Sequence, residues 1–168
     1  MKPPPIRIAR AASPNQVDEV RSLFLEYERF LRVELCFQSF EAELAGLPGK
    51  YAPPAGALLL ATDGPRPAGC AALRKFGDGI GEMKRLFVRP EYRGRGVGRA
   101  LAMRVLDEAT AAGYACIRLD TLARLKEAGR LYQSLGFKQI KPYYPNPLED
   151  VVYWELALTG ACPKSPAS

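Results

Sequence analysis

The stretch from Met83 to Arg99 constrains the fold of this chain more than any other part of the sequence. An apolar-rich run predicts a strand, Pro90 ends it, and a loop rich in glycine and arginine leads into a helix that opens at about Arg99. Alternating glycines let backbone N–H groups converge on one anion, and a helix start adds unpaired N–H groups and a positive dipole end. The sequence therefore predicts a strand–loop–helix unit that binds a phosphate-bearing ligand.

Positive charge is concentrated in the same stretch. One acid, Glu91, stands against seven basic residues, which are Lys84, Arg85, Arg89, Arg93, Arg95, Arg99 and Arg104. The local excess equals the formal net charge of the whole chain, +6. A solvated basic helix face after a plain turn is the alternative interpretation. Nucleic acid is a further alternative for so basic a chain, but there is no run of aromatics typical of RNA-binding sheets, and a glycine loop favours a small phosphorylated ligand.

The loop differs from the two commoner phosphate-binding loops and resembles a third. The Walker loop needs Gly-Lys-Ser/Thr after its second glycine, whereas Arg99-Ala100 follows here. The dinucleotide fingerprint needs its three glycines and a ribose-binding acid after a first strand, and this loop does not follow a first strand. The sequence resembles motif A of the GNAT-superfamily N-acetyltransferases, an Arg/Gln-x-x-Gly-x-Gly/Ala loop that binds the pyrophosphate of acetyl-coenzyme A. Arg93, Gly96 and Gly98 stand in its three defined positions.

The resemblance implies that acetyl-coenzyme A is the co-substrate, and we expect no metal, because the chain has no histidine and no Cys-x-x-Cys pair. In that family the preceding strand, here Glu82 to Val88, splays from its neighbour and offers backbone groups to the thioester and pantetheine, and an N–H at Val88 would lie near the thioester oxygen. The implied cofactor-binding residues are Leu86, Phe87, Val88, Arg93, Gly94, Arg95, Gly96, Val97, Gly98 and Arg99.

A second block, from Leu131 to Phe137, resembles the Leu-Tyr-x-x-x-Gly-Phe pattern near the C-terminal end of the same superfamily. The resemblance makes Tyr132 the general acid towards the leaving thiolate, a role that suits a hydroxyl protonated at neutral pH. A core tyrosine is the alternative. Many members carry an asparagine seven residues before that tyrosine, where it bonds to the cofactor. This chain has Leu125 there and so lacks the side chain for that polar contact.

The general base has to come from residues other than histidine, because the chain contains none. Glu82 is the candidate, since family members often have an acid on this strand that acts directly or through water. We expect it to share a face with Lys84 and Leu86. A structural salt bridge to a neighbouring cation is the alternative. The cysteines are far apart in the sequence and form no Cys-x-x-Cys pair, so reduced thiols and no zinc site are expected.

The remaining patterns predict an α/β (α+β), GNAT-like mixed fold. We expect a central twisted sheet of about six to seven strands flanked by about four helices, in one domain over 1–168 with loose tails at 1–5 and 160–168. The predicted strands are Ile6–Ala11, Ala57–Thr62, Ala68–Phe76, Glu82–Val88, Tyr114–Asp120 and Val151–Leu158. The predicted helices are Val17–Leu31 with Ser13 or Asn15 as its cap, Phe37–Leu47, Arg99–Ala112 and Lys126–Leu135.

Two regions are candidates for the acceptor site. Between Asn15 and Ala45 seven acids outnumber three arginines, and in the family the first two helices commonly wall the acceptor site. A solvated face is one interpretation, and an acidic lining that attracts a cationic amine, formed by Glu34, Glu41 and Glu43, is the other. The proline-flanked Tyr143 and Tyr144 lie either in a connector or in a loop that contacts the acceptor. The acceptor-lining candidates are Glu34, Tyr143 and Tyr144.

We therefore expect an N-acetyltransferase that transfers the acetyl group of acetyl-coenzyme A to a primary amine of a small molecule. A protein N-terminal or lysine acetyltransferase and a non-catalytic acyl-coenzyme A-binding module are the alternatives. Neither nucleic acid nor a membrane is an expected partner, and a homodimer is left open. A cytoplasmic location is expected, because the sequence has neither a run of about 18 apolar residues nor the apolar stretch of a secretory signal.

Overall fold

A mixed sheet of seven strands organises the chain in a computed structural model that describes residues 5–33, 35 and 39–163. The strands are β1 (Arg7–Arg10), β2 (Ala57–Asp63), β3 (Arg66–Gly77), β4 (Ile80–Val88), β5 (Cys116–Leu122), β6 (Lys138–Ile140) and β7 (Val151–Ala157). The helices are α1 (Pro14–Leu31), α2 (Phe40–Ala45), α3 (Val97–Ala111) and α4 (Lys126–Ser134), with 3-10 turns at Gly49–Tyr51 and Pro90–Tyr92. The predicted mixed α/β fold, with its strand and helix numbers, is confirmed.

The sheet has the order β1-β2-β3-β4-β5-β7-β6. Strands β1 to β4 form an antiparallel meander, β4 and β5 are parallel, and β7 pairs antiparallel with both β5 and β6. Helix α3 makes the crossover between the parallel pair, as the predicted βαβ unit requires. Strand β6 is absent from the sequence prediction, because three residues carry too short a pattern to be recognised.

Helices cover both faces of the sheet. Leu101 and Val105 of α3 are fully buried in one hydrophobic cluster, and Leu23 and Phe24 of α1 are fully buried in another. Helix α1 starts at Pro14, ahead of the predicted Val17, because Ser13 caps it. The Ser13 hydroxyl accepts from the Gln16 N–H at 3.2 Å and the Gln16 side chain accepts from the Ser13 N–H at 3.1 Å.

Other boundaries also differ from the prediction by a few residues. Helix α3 begins at Val97 rather than at about Arg99, because Gly96 adopts φ 76° and serves as its N-cap. Helix α2 is shorter than predicted, and Phe37, the expected first residue, lies outside the described residues. Strand β5 begins at Cys116 rather than Tyr114, because the N–H of Tyr114 still bonds the helical carbonyl of Ala109 at 3.1 Å.

Strands β4 and β5 pair only at their beginnings. Their register covers Ile80–Glu82 against Cys116–Arg118, and β4 then continues to Val88 while β5 continues to Leu122 without further pairing to it. The predicted splay of the central strand is therefore present. It opens a gap at the carboxyl ends of two parallel strands, where ligand sites in α/β folds commonly lie.

A β-bulge at Arg85 changes which side chains of β4 share a face. The register with β3 moves from Ala72↔Lys84 to Cys70↔Phe87, and Arg85 adopts φ 60°. Lys84 and Arg85 consequently line the same cavity, whereas Leu86 packs with the cluster under α3. The prediction that Glu82, Lys84 and Leu86 share one face is therefore wrong for Leu86, because the bulge interrupts the two-residue alternation.

Candidate active site

A groove of about 630 Å³ runs along the splayed end of β4 and the first turns of α3 and α4. All of the predicted cofactor-binding residues line it except Arg95, whose guanidinium lies 5.4 Å from the ring centre of Tyr92. Tyr27 and Phe30 of α1 form its opposite edge. The strand and the glycine loop thus contribute to one continuous surface.

The glycine loop presents backbone donors at the mouth of this groove. Gly94 and Gly96 adopt φ 78° and 76°, and a Cβ built on either residue would meet no protein atom within 4 Å. No side chain caps α3, so its first N–H groups remain available to a ligand. A pyrophosphate fits such a site because several N–H groups and the helix dipole act on it together.

The basic side chains of the same stretch fall into two groups. Four are held by carboxylates: Lys84 by Asp120, Arg85 by Glu43, Arg89 by Glu26 and Arg104 by Glu108. The remaining three, Arg93, Arg95 and Arg99, are exposed and make no ion pair in the described part of the chain. The local charge excess read from the sequence is therefore largely neutralised, and these three arginines give the loop its positive potential.

Two of these arginines are fixed by other contacts. Arg93 donates from Nε to the carbonyl of Val88 at 3.0 Å and lies 4.5 Å above the ring of Phe30. Arg99 donates from Nη1 to the Ser134 hydroxyl at 2.9 Å. These contacts tie the loop to β4, α1 and α4, which makes the groove a preformed site.

The backbone of Val88 faces the gap between β4 and β5. The N–H of Arg89 donates to the carbonyl of Ala68 on β3 at 2.9 Å. Because successive N–H groups along a strand point to opposite sides, the N–H of Val88 points away from β3 and into the gap. It can donate to an oxygen bound there.

Tyr132 lies on α4 at the wall of the groove. Its ring packs 5.7 Å from Phe137 and 6.4 Å from Trp154, and the side chain is 5% exposed. Burial raises the pKa of its hydroxyl, so the group stays protonated at neutral pH. Leu125, where the family pattern has asparagine, also lines the groove and is the N-cap of α4 without a side-chain cap. Leu125 therefore offers an apolar side chain where the family pattern has an amide for the cofactor.

A second cavity of about 520 Å³ lies on the other side of β4. Side chains from α2, the Gly49–Tyr51 turn, β3, β4 and the loop after β6 line it. A small cavity of about 40 Å³ lies between it and the groove, sharing Lys84 and Arg85 with the former and Tyr27 and Thr121 with the latter. The groove, the small cavity and the second cavity therefore lie next to one another along the splay.

Glu82 lies at the wall of the second cavity and is 1% exposed. Its Oε1 accepts from Nε of Arg74 at 2.7 Å, and its Oε2 accepts from the hydroxyl of Tyr143 at 2.6 Å. The pKa of Tyr143 is raised mainly by burial and, to a smaller extent, by the nearby charge of Glu82. Both predicted tyrosines therefore lie at this site, because Tyr144 and Pro145 line the same cavity.

Asp120 is a carboxylate of the site that the sequence interpretation missed. It accepts from the hydroxyl of Tyr144 at 2.7 Å and lies 3.9 Å from Nζ of Lys84, whose pKa is lowered by burial. In the sequence, Asp120 is recognisable only as an acid near the end of a predicted strand. The sequence does not show that the pairing of β4 with β5 ends at Arg118, and it is this early end that leaves Asp120 beside the gap.

The predicted acidic lining takes a different form. Glu43 lines the second cavity, but both of its carboxylate oxygens accept hydrogen bonds from Arg85 at 3.0 Å. Glu41 is exposed and is not part of the cavity wall, and Glu34 lies outside the described residues. The described lining carries four cationic side chains, those of Lys50, Arg74, Lys84 and Arg85, against two carboxylates, Glu43 and Glu82. The described wall is therefore not acidic.

A further cluster lies away from both cavities. The Sγ atoms of Cys116 and Cys162 and a carboxylate oxygen of Glu155 all lie within 4.8 Å of one another, although the cysteines are far apart in the sequence. Pairing of β5 with β7 places Glu155 near Cys116, and the segment after β7 brings Cys162 to both. Glu155 already accepts from Nε of Arg118 at 2.7 Å, and burial raises the pKa of both thiols. The thiolate forms needed for metal binding or oxidation are thereby disfavoured at neutral pH.

No helix in the described residues combines the length and apolarity that crossing a bilayer requires.

Comparison with known proteins places these features in a family. The sequence matches the acetyltransferase (GNAT) family over residues 17–137. It is 42% identical to an uncharacterised N-acetyltransferase of Schizosaccharomyces pombe over 161 residues, which cover 95% of this chain and 99% of the relative.

Solved structures share the fold. An acetyltransferase of the GNAT family from Staphylococcus aureus superposes with a TM-score of 0.77 at 20% identity, covering 92% of this chain and 100% of that one. YncA of Salmonella typhimurium, whose structure includes its cofactor acetyl-CoA, superposes with a TM-score of 0.71 at 19% identity, covering 97% and 99%. From the family match, the full-length relative and the shared fold, we conclude that this chain belongs to the acetyltransferase (GNAT) family and is an acyltransferase.

Proposed function

We propose that this protein transfers the acetyl group of acetyl-coenzyme A to a primary amine of a small molecule. The observation that carries the proposal is the position of a phosphate-compatible groove and a second cavity at the splay, with a small cavity between them that shares lining residues with both. A donor and an acceptor that enter from opposite sides would meet there. Such an arrangement brings two reactants together in a fixed orientation.

The groove has the features that a coenzyme A thioester requires. The loop offers N–H groups and the side chains of Arg93 and Arg99 for the pyrophosphate. The apolar side chains of Leu86, Phe87 and Val88 line the path inward. The acetyl-CoA named with YncA supports this assignment by similarity of fold. When bound, acetyl-coenzyme A would supply the activated acyl group.

Each chemical requirement of the transfer has a candidate residue in this chain. The C–N bond forms as the C–S bond breaks, so the amine loses a proton and the thiolate gains one. The N–H of Val88 is the proposed donor to the carbonyl oxygen, and Tyr132 the proposed proton donor to sulfur. Glu82 is the proposed proton acceptor. Because both of its oxygens already accept hydrogen bonds, it would act through the hydroxyl of Tyr143 or a water molecule.

The dimensions of the acceptor cavity favour a small molecule over a protein substrate. Its volume of about 520 Å³ falls within the range of small-molecule pockets, about 300–1,000 Å³. Acetylation of a protein N-terminus or lysine and non-catalytic binding of an acyl-coenzyme A remain the rival functions. We also propose a cytoplasmic location, which the free thiols of Cys70, Cys116 and Cys162 support, since reduced cysteines are typical of that compartment.

A thiol-release assay tests the proposal. The purified chain is mixed with acetyl-coenzyme A and a panel of amines, amino acids and short peptides, and free coenzyme A is measured together with the mass of the acetylated product. Release that depends on a small amine, with stabilisation by acetyl-coenzyme A in thermal unfolding, supports the proposal. Acetylation of peptides alone supports the protein-directed alternative, and stabilisation without any transfer supports the binding module.

A further inference from the structure

We propose that the acceptor carries a carboxylate as well as its amine, and that Arg74 and Lys50 form the subsite for that carboxylate. The inference rests on the proposed function, since it concerns the acceptor cavity of the same reaction. It narrows the acceptor from any primary amine to an amino acid or a related amino carboxylate.

The pairing of the cations in the cavity is uneven. Both oxygens of Glu43 bond the guanidinium of Arg85, so that pair is mutually satisfied. Lys84 lies beside Asp120. Arg74 uses only Nε, on Glu82, and no hydrogen bond in the described part of the chain engages its Nη atoms. Lys50, on the Gly49–Tyr51 turn, is exposed and has no ion pair among the described residues. Two cations at the wall therefore retain capacity for an anion.

The carboxylate partner of Arg74 does not use up this capacity. Glu82 accepts one bond from Arg74 and directs its other oxygen to Tyr143, so the two Nη groups of Arg74 have no acceptor among residues 5–33, 35 and 39–163. A guanidinium presents such donors in a planar fork that matches the two oxygens of a carboxylate. The side chain is 26% exposed, which leaves it accessible from the cavity.

A carboxylate also explains how a basic cavity can accept an amine. An alkyl ammonium entering alone would meet four basic side chains, and the carboxylates of Glu43 and Glu82, like that of Asp120 beside Lys84, are already bonded to protein groups. Repulsion between like charges in a partly desolvated cavity would weaken its binding. An amino carboxylate brings a compensating negative charge, and its carbon skeleton can pack against Tyr51 and Phe76 on the same wall.

Matched acceptors test the inference. Alanine, β-alanine and γ-aminobutyrate are each compared with the corresponding amide by kcat/KM in the thiol-release assay, with product mass as confirmation. We expect a preference of about tenfold or more for the carboxylate in at least one pair, as for loss of a charged hydrogen bond. Arg74→Gln and Lys50→Gln should reduce that preference ratio, because they lower kcat/KM for the carboxylate more than for the amide.

Lys75→Gln is the matched control, because Lys75 is the neighbour of Arg74 on β3, is exposed and pairs with Asp78. It should leave the preference ratio unchanged. Lys50→Gln alters an exposed side chain and keeps the test decisive if Arg74→Gln does not fold.

The outcomes separate this inference from the proposed function. Transfer to amides and carboxylates at equal rates, or an unchanged ratio in Lys50→Gln and folded Arg74→Gln, overturns the subsite alone. A preference for 2-aminoethylphosphonate over β-alanine overturns the carboxylate class. Absence of transfer to every amine overturns the proposed function and this inference with it.

Discussion

The hydroxyl of Tyr143 donates a hydrogen bond of 2.6 Å to Oε2 of Glu82. The bond joins the loop after β6 to the central strand, although the two residues are far apart in the sequence. Glu82 is 1% exposed, and a carboxylate buried to that extent is stable in its charged form only when its oxygens are bonded. Tyr143 and Arg74 provide those bonds, so the position of the loop and the position of the Glu82 side chain depend on each other.

Replacing Tyr143 with Phe should therefore affect both stability and activity. Loss of one hydrogen bond to a buried carboxylate is expected to lower the free energy of unfolding by about 1.5–3 kcal/mol, as measured by urea denaturation. If protons leave the acceptor through this hydroxyl, kcat should fall as well. Tyr114→Phe is the control, because it removes a hydroxyl that bonds the carbonyl of Ala55 away from the cavity. A normal kcat in Tyr143→Phe would exclude the relay.

Tyr132→Phe should separate acid catalysis from packing. The variant keeps the ring contacts with Phe137 and Trp154 but lacks the proton, so we expect kcat to fall by about 10²–10⁴-fold with little change in the Kd of acetyl-coenzyme A. Phe137→Leu disturbs the same packing without removing a hydroxyl, and it should cost stability with a smaller effect on kcat. Equal kcat losses in the two variants would assign Tyr132 a packing role.

Gly96→Ala should weaken binding of acetyl-coenzyme A. Gly96 has φ 76°, and a methyl group there would project into the ligand side of the loop, where no protein atom lies within 4 Å. We expect about a tenfold or larger rise in Kd by calorimetry, together with a backbone cost of about 1–2 kcal/mol. Gly64→Ala, at φ 57° in the turn between β2 and β3, introduces similar strain far from the groove. A similar rise in Kd in both variants would attribute the effect to stability alone.

The parts of the structure that the sequence predicted best are those set by residues adjacent in the chain. The turn at Gly94 and Gly96, the capping by Ser13 and the tyrosine on α4 follow from local patterns, and the structure contains each of them. The glycine loop could be recognised because backbone conformation and helix start are set within a few residues.

The acceptor cavity could not be predicted in the same way. Asp120 faces the gap only because the pairing of β4 and β5 ends early, and Arg85 reaches Glu43 only because a bulge turns it to the same side as Lys84. Both facts depend on contacts between distant segments. Counting charges along the chain also overstated the net positive charge around the glycine loop, because Arg89 and Arg104 form ion pairs with acids of α1 and α3.

Glu108 should stabilise the fold in a pH-dependent manner. It is 8% exposed on α3 and accepts from Arg10 of β1 and, at 3.1 Å, from Nε of Arg104. The hydrogen bond from Arg10 holds the pKa of Glu108 below its ordinary value of 4.5. A carboxyl whose pKa is lowered by folding stabilises the protein above its unfolded pKa, and that contribution is lost as the pH falls through the folded pKa.

Glu108→Gln should thus lower the free energy of unfolding by about 1–3 kcal/mol at pH 7 and by much less at pH 3, as measured by urea denaturation at each pH. Asp107→Asn, an exposed neighbour on the same helix, should show little effect at either pH. A loss in Glu108→Gln of the same size at pH 7 and pH 3 would show that side-chain packing, and not the ion pair, is responsible.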